Sequence, residues 1–235
     1  MQNRENKGRA ADMVVKVLAQ RIQSGELEDG QPLPPERDMM EEFGISRTVV
    51  REALVALSNK GLVEARPRHR PLVRKPGYDS AFSAIESIVT YLLGQRGGVR
   101  NLFDTRILLE AALVRQAAKT ADKQDIAALK RALEANQASI EDSETFYQTD
   151  MGFHRILYEI SRNPVLPAVN RAYTTWLAPH WLQMPRLPDR NQANFEAHRQ
   201  IFDAILMRDP DAAEDALKRH LENAWDQVRQ TFGEL

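Results

Sequence analysis

The chain contains no cysteine. That absence excludes disulfides, thiolate catalysis, iron–sulfur clusters and cysteine-ligated zinc, so any metal has to sit on His, Asp or Glu. Long apolar runs are missing too: the longest stretches from Ala53 to Leu57, against the ~20 residues that a membrane-spanning helix needs. The opening residues, Met1-Gln2-Asn3-Arg4, lack the apolar core of a signal peptide, and a cytoplasmic protein is the expectation. There is no repeat of 20–50 residues, no low-complexity segment, and no strand-like alternation after residue 77.

What is present is 235 residues, 28% charged and 43% hydrophobic, enough for two modest domains with real cores. The net charge of −1 hides an uneven distribution. Residues 47–75 carry eight Lys or Arg against Glu52 and Glu64, whereas residues 77–235 carry 18 basic and 22 acidic side chains. A basic segment joined to an acidic remainder suggests a polyanion-binding module attached to something else.

The first 76 residues predict three helices and a short hairpin. Ala11, Val14, Val15, Leu18, Ala19 and Ile22 recur at helical spacing up to Ser24, with Gly25 as the stop. Gly30-Gln31-Pro32-Leu33-Pro34-Pro35 leads into a second helix, Glu36 to Phe43. After a turn at Gly44-Ile45, Ser46 suits the N-cap of a third helix that reaches Lys60. In that helix Val49, Val50, Ala53, Leu54 and Leu57 form the apolar stripe, leaving Arg47, Thr48 and Arg51 on the other side. Such a face is either an ordinary solvated surface or a recognition helix for the major groove. A hairpin of Leu62–Ala65 with Leu72-Val73, tipped by Arg66-Pro67-Arg68-His69-Arg70, favours DNA.

The phrases Leu33-Pro34-Pro35-Glu36-Arg37-Asp38, Phe43-Gly44-Ile45-Ser46-Arg47-Thr48-Val49-Val50-Arg51-Glu52-Ala53-Leu54 and Gly61-Leu62-Val63 resemble the winged-helix signature of GntR-type bacterial repressors. The resemblance implies DNA contacts from Arg37, Ser46, Arg47, Thr48 and Arg51, with Arg68 and Arg70 on the wing. Two positions depart from the family pattern: Pro35 stands where serine is usual, and Arg68 and Arg70 occupy a wing tip that is usually glycine-rich.

Past a short linker, Lys75-Pro76-Gly77-Tyr78, helical segments are expected near 80–94, 101–120, 122–141, 143–162, 164–183, 191–208 and 210–232. The predicted architecture is therefore mostly α: a winged helix-turn-helix over 1–76 and an all-helical bundle over 77–235. Asp150 and His154 lie four apart on one helical face, while His198 and His220 each lie eleven residues from the Asp209-Pro210 turn. Equal distances from a helical hairpin turn place two side chains at matching heights on neighbouring helices. The spacing leaves two readings open: one shared metal site of three histidines and a carboxylate, or separate histidines hydrogen-bonded at helix interfaces.

The region from about Ser80 to Phe232 resembles the helical FCD effector domain of the FadR-type branch. Its metal-containing members join an Asp-x-x-x-His helix with one histidine from each of two later helices. The resemblance implies a divalent metal on Asp150, His154, His198 and His220, with zinc first and nickel or manganese as alternatives. It also implies that Arg106, within Phe103–Glu110, faces a small organic-acid effector; a surface pair of Arg106 with Glu110 is the competing reading. Trp176, Trp181, Met184 and Phe195 are candidate pocket-lining side chains or plain core. Gly97-Gly98, Leu113-Val114-Arg115, Asp150 to Phe153-His154-Arg155, Asn163-Pro164 and Trp176-Leu177 are similar to phrases of sialic-acid-responsive repressors, which points to a sugar acid such as sialic acid.

The expectation is a homodimeric repressor of double-stranded operator DNA rather than an enzyme, since two modules are needed to discriminate an operator from genomic DNA. The alternatives are a metal-dependent hydrolytic enzyme and an architectural DNA binder without effector. No His-Glu-x-x-His, Gly-x-Ser-x-Gly or phosphate-binding glycine loop supports the enzyme.

Overall fold

The computed structural model describes residues 2–65, 69–185 and 187–232, with side chains described over 9–65, 69–185 and 187–231. The chain forms two compact units, Met1–Ala81 and Phe82–Leu235.

In the first unit, α1 (Gln2–Ser24) stops where Gly25 takes a positive φ of 83°, a conformation that costs glycine little. Val14, Leu18 and Ile22 of α1 are buried against α3 (Arg47–Asn59), which contributes Val49, Val50, Ala53 and Leu57. Leu54 is only half-buried, at the margin of this core. Between them α2 (Glu36–Phe43) closes on Gly44, whose φ of 65° lets its N–H bond Met40 O. Ser46 occupies the N-cap position of α3 with an extended backbone, but its hydroxyl makes no capping bond.

The hairpin is shorter than expected: β1 (Val63–Glu64) pairs antiparallel with β2 (Leu72–Val73), Val63 opposite Val73. The proline stretch does more than lead into α2. Gly30 N–H donates to Val73 O (2.9 Å), Val73 N–H to Gln31 O (2.7 Å) and Leu33 N–H to Pro71 O (2.8 Å). This third strand-like segment brings the Leu33 side chain fully into the core. Of the wing tip, Arg66, Pro67 and Arg68 lie outside the described residues; Arg70 is exposed.

In the helical region, the segment expected as one helix over 80–94 is two, α4 (Tyr78–Ala84) and α5 (Glu86–Leu93), broken at Ile85. Neither buries a residue, so no packed face enforces one continuous rod. The next helix, α6 (Gly98–Thr120), starts earlier than expected because the chain turns tightly: a Cβ on Gly98 would lie 2.2 Å from Leu92 O, and Gly97 has a φ of 77°.

The rest of the bundle is α7 (Lys123–Ala138), α8 (Ser143–Ile160), α9 (Leu166–Trp181), α10 (Pro188–Leu206) and α11 (Pro210–Phe232). Asp122 and Asp142 cap α7 and α8 by accepting from backbone N–H groups in their first turns, which satisfies donors that a helix start leaves open. The strongest packing is α6 on α11, α11 on α10 and α7 on α8, around Phe103, Val114, Leu129, Phe153, Leu157, Ile201 and Leu217. Among the described residues no helix is long and apolar enough to cross a membrane.

Candidate functional site

The packing of α8, α10 and α11 brings four sequence-distant side chains together. Asp150 and His154 come from α8, His198 from α10 and His220 from α11, and one ligand atom from each lies within 4.8 Å of all the others. The three histidines are buried and Asp150 is half-buried. The Nε2 atoms form a near-equilateral triangle: His154 to His220 3.2 Å, His198 to His220 3.2 Å, and His198 to His154 3.3 Å. Asp150 Oδ1 lies 3.5 Å from His198 Nε2.

The tautomers follow from the outer partners. His154 Nδ1 meets Glu110 Oε2 at 2.6 Å and His198 Nδ1 meets Asn136 Oδ1 at 3.0 Å. Both partners are acceptors, so both Nδ1 atoms donate and both Nε2 lone pairs point inward. Two such lone pairs at contact distance repel unless a cation lies between them. Three Nε2 atoms so spaced can all reach one common point at about 2.1 Å, the distance zinc takes from imidazole nitrogen. The donor set therefore fits a divalent metal, with Asp150 as an oxygen ligand.

The surroundings fix these rings. Phe153 stacks on His198 with centroids 4.5 Å apart. Asn136, fully buried, donates to Thr149 Oγ1 while accepting from His198. Glu110, with no exposed surface, accepts from His154, from Arg106 Nε (2.7 Å) and from Tyr158 Oη (3.0 Å). Burial alone would raise its pKa, but the Arg106 guanidinium and His154 outweigh that and hold the Glu110 carboxyl well below the ordinary range. Burial, reinforced by the neighbouring histidines and Arg106, pushes His198 and His220 well below the usual imidazole value. Burial raises Asp150. For His198 and His220 the neutral, ligand-forming state of the imidazole is thus the one the site favours.

Arg106 and Glu110 do form the i, i+4 pair that the sequence allows, but not on the surface: Arg106 is 7% exposed and Glu110 0%. A charged pair in the middle of a buried stripe, Phe103, Arg106, Glu110, Leu113 and Ala117, was the signal for this. Likewise Asn136 ends the buried series Leu129, Leu133, Asn136 on α7. Neither Glu110 nor Asn136 was singled out from sequence as a partner of the histidines.

A cavity of about 160 Å³ opens against Asp150, His154 and His220, walled by Phe103, Arg106, Trp181 and Met184 among others. Arg106 also lies over the Trp181 ring, 5.3 Å from its centroid. Of the other candidate pocket residues, Trp176 packs on Phe82 and Tyr173 instead, and Phe195 is buried in the helical core.

In the first unit, Ser46, Arg47, Thr48 and Arg51 are all exposed at the start of α3. Glu36, the first residue of α2, lies between the two arginines: Arg51 Nε donates to it at 3.0 Å and Arg47 Nε stands 3.4 Å away. Arg37 is exposed beside Asp38 and Glu41. Exposed pairs of this kind are worth ~0–1 kcal/mol, so either arginine can exchange its carboxylate for a phosphate or a base edge at little cost.

A basic winged helix and a separate helical bundle with a cavity over a histidine cluster define a DNA-binding transcriptional regulator that responds to a small molecule. The chain belongs to the GntR family of bacterial regulatory proteins, whose profile matches residues 10–73, and carries an FCD domain over 101–223. It is 38% identical over 218 residues to the HTH-type transcriptional repressor NanR of Salmonella newport, covering 91% of this chain and 83% of that one, and equally identical to NanR of Salmonella arizonae, covering 82% of it. Among solved structures, Streptococcus agalactiae GntR shares the fold, with a TM-score of 0.58, 22% identity, and coverage of 95% of this chain and 99% of that one. These relatives are regulators, which removes the hydrolytic enzyme from consideration.

Proposed function

We propose that this protein is a cytoplasmic repressor that binds operator DNA as a homodimer and is switched by a small carboxylate-bearing metabolite, a sugar acid such as sialic acid, seated over a divalent metal. The observation that carries the reading is the triangle of converging Nε2 atoms, two of them with lone pairs held inward, at the wall of a cavity that also contains a buried guanidinium. Asp150, His154, His198 and His220 hold the metal, zinc by the match of three imidazoles and one carboxylate. When bound, the ion supplies a Lewis-acid platform for a carboxylate or hydroxyl oxygen.

The chain's own residues do the rest. Glu110 and Asn136 hold two imidazoles in the metal-binding tautomer. Arg106, tied by Nε to Glu110, presents its remaining N–H groups to the effector carboxylate. Arg47 and Arg51 read the operator, assisted by Arg37, Ser46 and Thr48, while Arg68 and Arg70 neutralise backbone phosphates. The helix α5 supports dimerisation: Ile88, Tyr91 and Leu92 are exposed at 60%, 68% and 53%, and an apolar helical face left in water marks an interface. Relatives named as NanR repressors support the repressor reading.

The test is a thermal-shift screen of sugar acids, N-acetylneuraminate included, with zinc and with chelator, because a ligand that binds only the folded state raises its apparent stability. Stabilisation that requires the metal supports the reading; stabilisation by these acids that chelation leaves untouched contradicts it.

A further inference from the structure

Two helical stripes lead away from the histidines along the cavity. On α8, Ser143, Tyr147, Asp150 and His154 follow one another at three- and four-residue spacing, and all four line the cavity. On α10, Arg190, Asn194 and His198 repeat every four residues, and the first two line it. At 1.5 Å per residue, Arg190 stands about 12 Å along its helix from His198, and Tyr147 about 4.5 Å from Asp150. The cavity therefore extends past the histidines towards the start of α10, with Tyr147 one turn from Asp150 on its α8 wall.

Polar groups there lack partners. Tyr147 Oη and Arg190 Nε are both buried without a hydrogen bond among the described residues, although both residues line the open space. The Tyr147 ring is accounted for by edge-on packing against Trp181, centroids 5.7 Å apart, but its hydroxyl is not. Burial pushes that hydroxyl up to about 12, so at neutral pH it is a donor. Arg190 makes no ion pair with any described carboxylate; Asp150 acts on it only at a distance. Buried donors are rarely left unmatched, because they lose water and gain nothing. A ligand that reaches them removes the deficit.

We propose that Arg190 and Tyr147 form a second anchoring subsite of the cavity, which binds an acceptor group of the effector distant from its metal-bound carboxylate. The ligand class is a carboxylic acid with a hydroxyl, carbonyl or second carboxylate several bonds away, a polyhydroxylated sugar acid rather than a short hydroxy acid. Gln148 and Asn194, on the same walls, supply further hydrogen bonds. The inference rests on the cavity being the effector site.

The test is calorimetric titration of the full-length, zinc-supplemented protein with glycolate, gluconate and N-acetylneuraminate, on wild type, Arg190→Gln and Tyr147→Phe. In wild type at least one longer acid binds ~10-fold or more tightly than glycolate. Each variant shrinks that preference several-fold, and Tyr147→Phe keeps its ligand-free melting temperature, because the hydroxyl it removes had no partner. Glycolate binding as tightly as both longer acids in wild type, or a preference unchanged in both variants, overturns the subsite. If glycolate and the longer acids all fail to bind, it is the effector-site reading that falls, and the subsite with it.

Discussion

Replacing Glu110 by glutamine removes one charge from the place where the histidine cluster and Arg106 meet. Glu110 holds His154 Nδ1–H at 2.6 Å, Arg106 Nε at 2.7 Å and Tyr158 Oη at 3.0 Å with no exposed surface. Two losses follow. The buried Arg106 keeps its charge without a counterion, and breaking a buried pair from one side costs ~3–5 kcal/mol. Because Arg106 borders the cavity and can recruit water there, the low end of that range is expected. The second loss is at the metal: without the carboxylate, His154 is a weaker and less well oriented ligand, and loss of such a partner lowers metal affinity ~10–100-fold. Asn136→Ala makes the useful contrast, since it removes a neutral acceptor from His198 and leaves no charge stranded; its metal affinity falls while its stability falls less. The assays are thermal denaturation in chelator and competition titration of zinc against a chromogenic chelator. A Glu110→Gln protein that is folded and binds zinc as tightly as wild type would refute the role given to Glu110.

Three further outcomes are expected. Arg47→Ala, if Arg47 reads a guanine, costs ~1–3 kcal/mol of operator affinity and relaxes preference at one base pair, measured by binding to a set of single-substitution operators; an even loss across the set assigns it to phosphate. Arg70→Ala lowers the salt slope of log affinity by about 0.9 for each phosphate that Arg70 neutralises, and an unaltered slope removes it from the backbone interface. In chelator, stability declines as pH falls below ~6.5. His198 and His220 are held below their unfolded value, so the unfolded chain takes up protons first and each contributes up to ~1.4 kcal/mol of loss per pH unit. A His198→Gln/His220→Gln protein with the same pH slope of melting temperature as wild type contradicts this.

The exposed basic face of α3 was legible because a short motif with a glycine turn fixes its register: Arg47, Thr48 and Arg51 face away from Val49, Val50, Ala53 and Leu57 by 3.6-residue periodicity alone. The histidine cluster was legible for a related reason, that counting equally from the Asp209-Pro210 turn sets His198 and His220 level, and their Nε2 atoms meet at 3.2 Å. What periodicity misses is the identity of a neighbour on another helix. Glu110 and Asn136 sit on apolar stripes where a polar residue signals a buried partner, but nothing in the sequence names His154 or His198 as that partner. The extra pairing of Gly30–Leu33 with β2 was hidden because prolines mask a strand that uses only alternate backbone groups. The break at Ile85 was hidden because α4 and α5 bury nothing that would set their limits.

The central claim is that the four ligands on three helices hold a metal through which the effector acts. Elemental analysis of wild type and His198→Ala, each purified without chelator and each titrated with effector while operator binding is followed, tests it most directly. The account predicts about one divalent ion per wild-type chain, little in the variant, and operator binding in the variant that no longer answers to effector. A wild-type protein that holds no metal, gains none on adding zinc, nickel or manganese, and still releases or engages its operator on adding effector would contradict it.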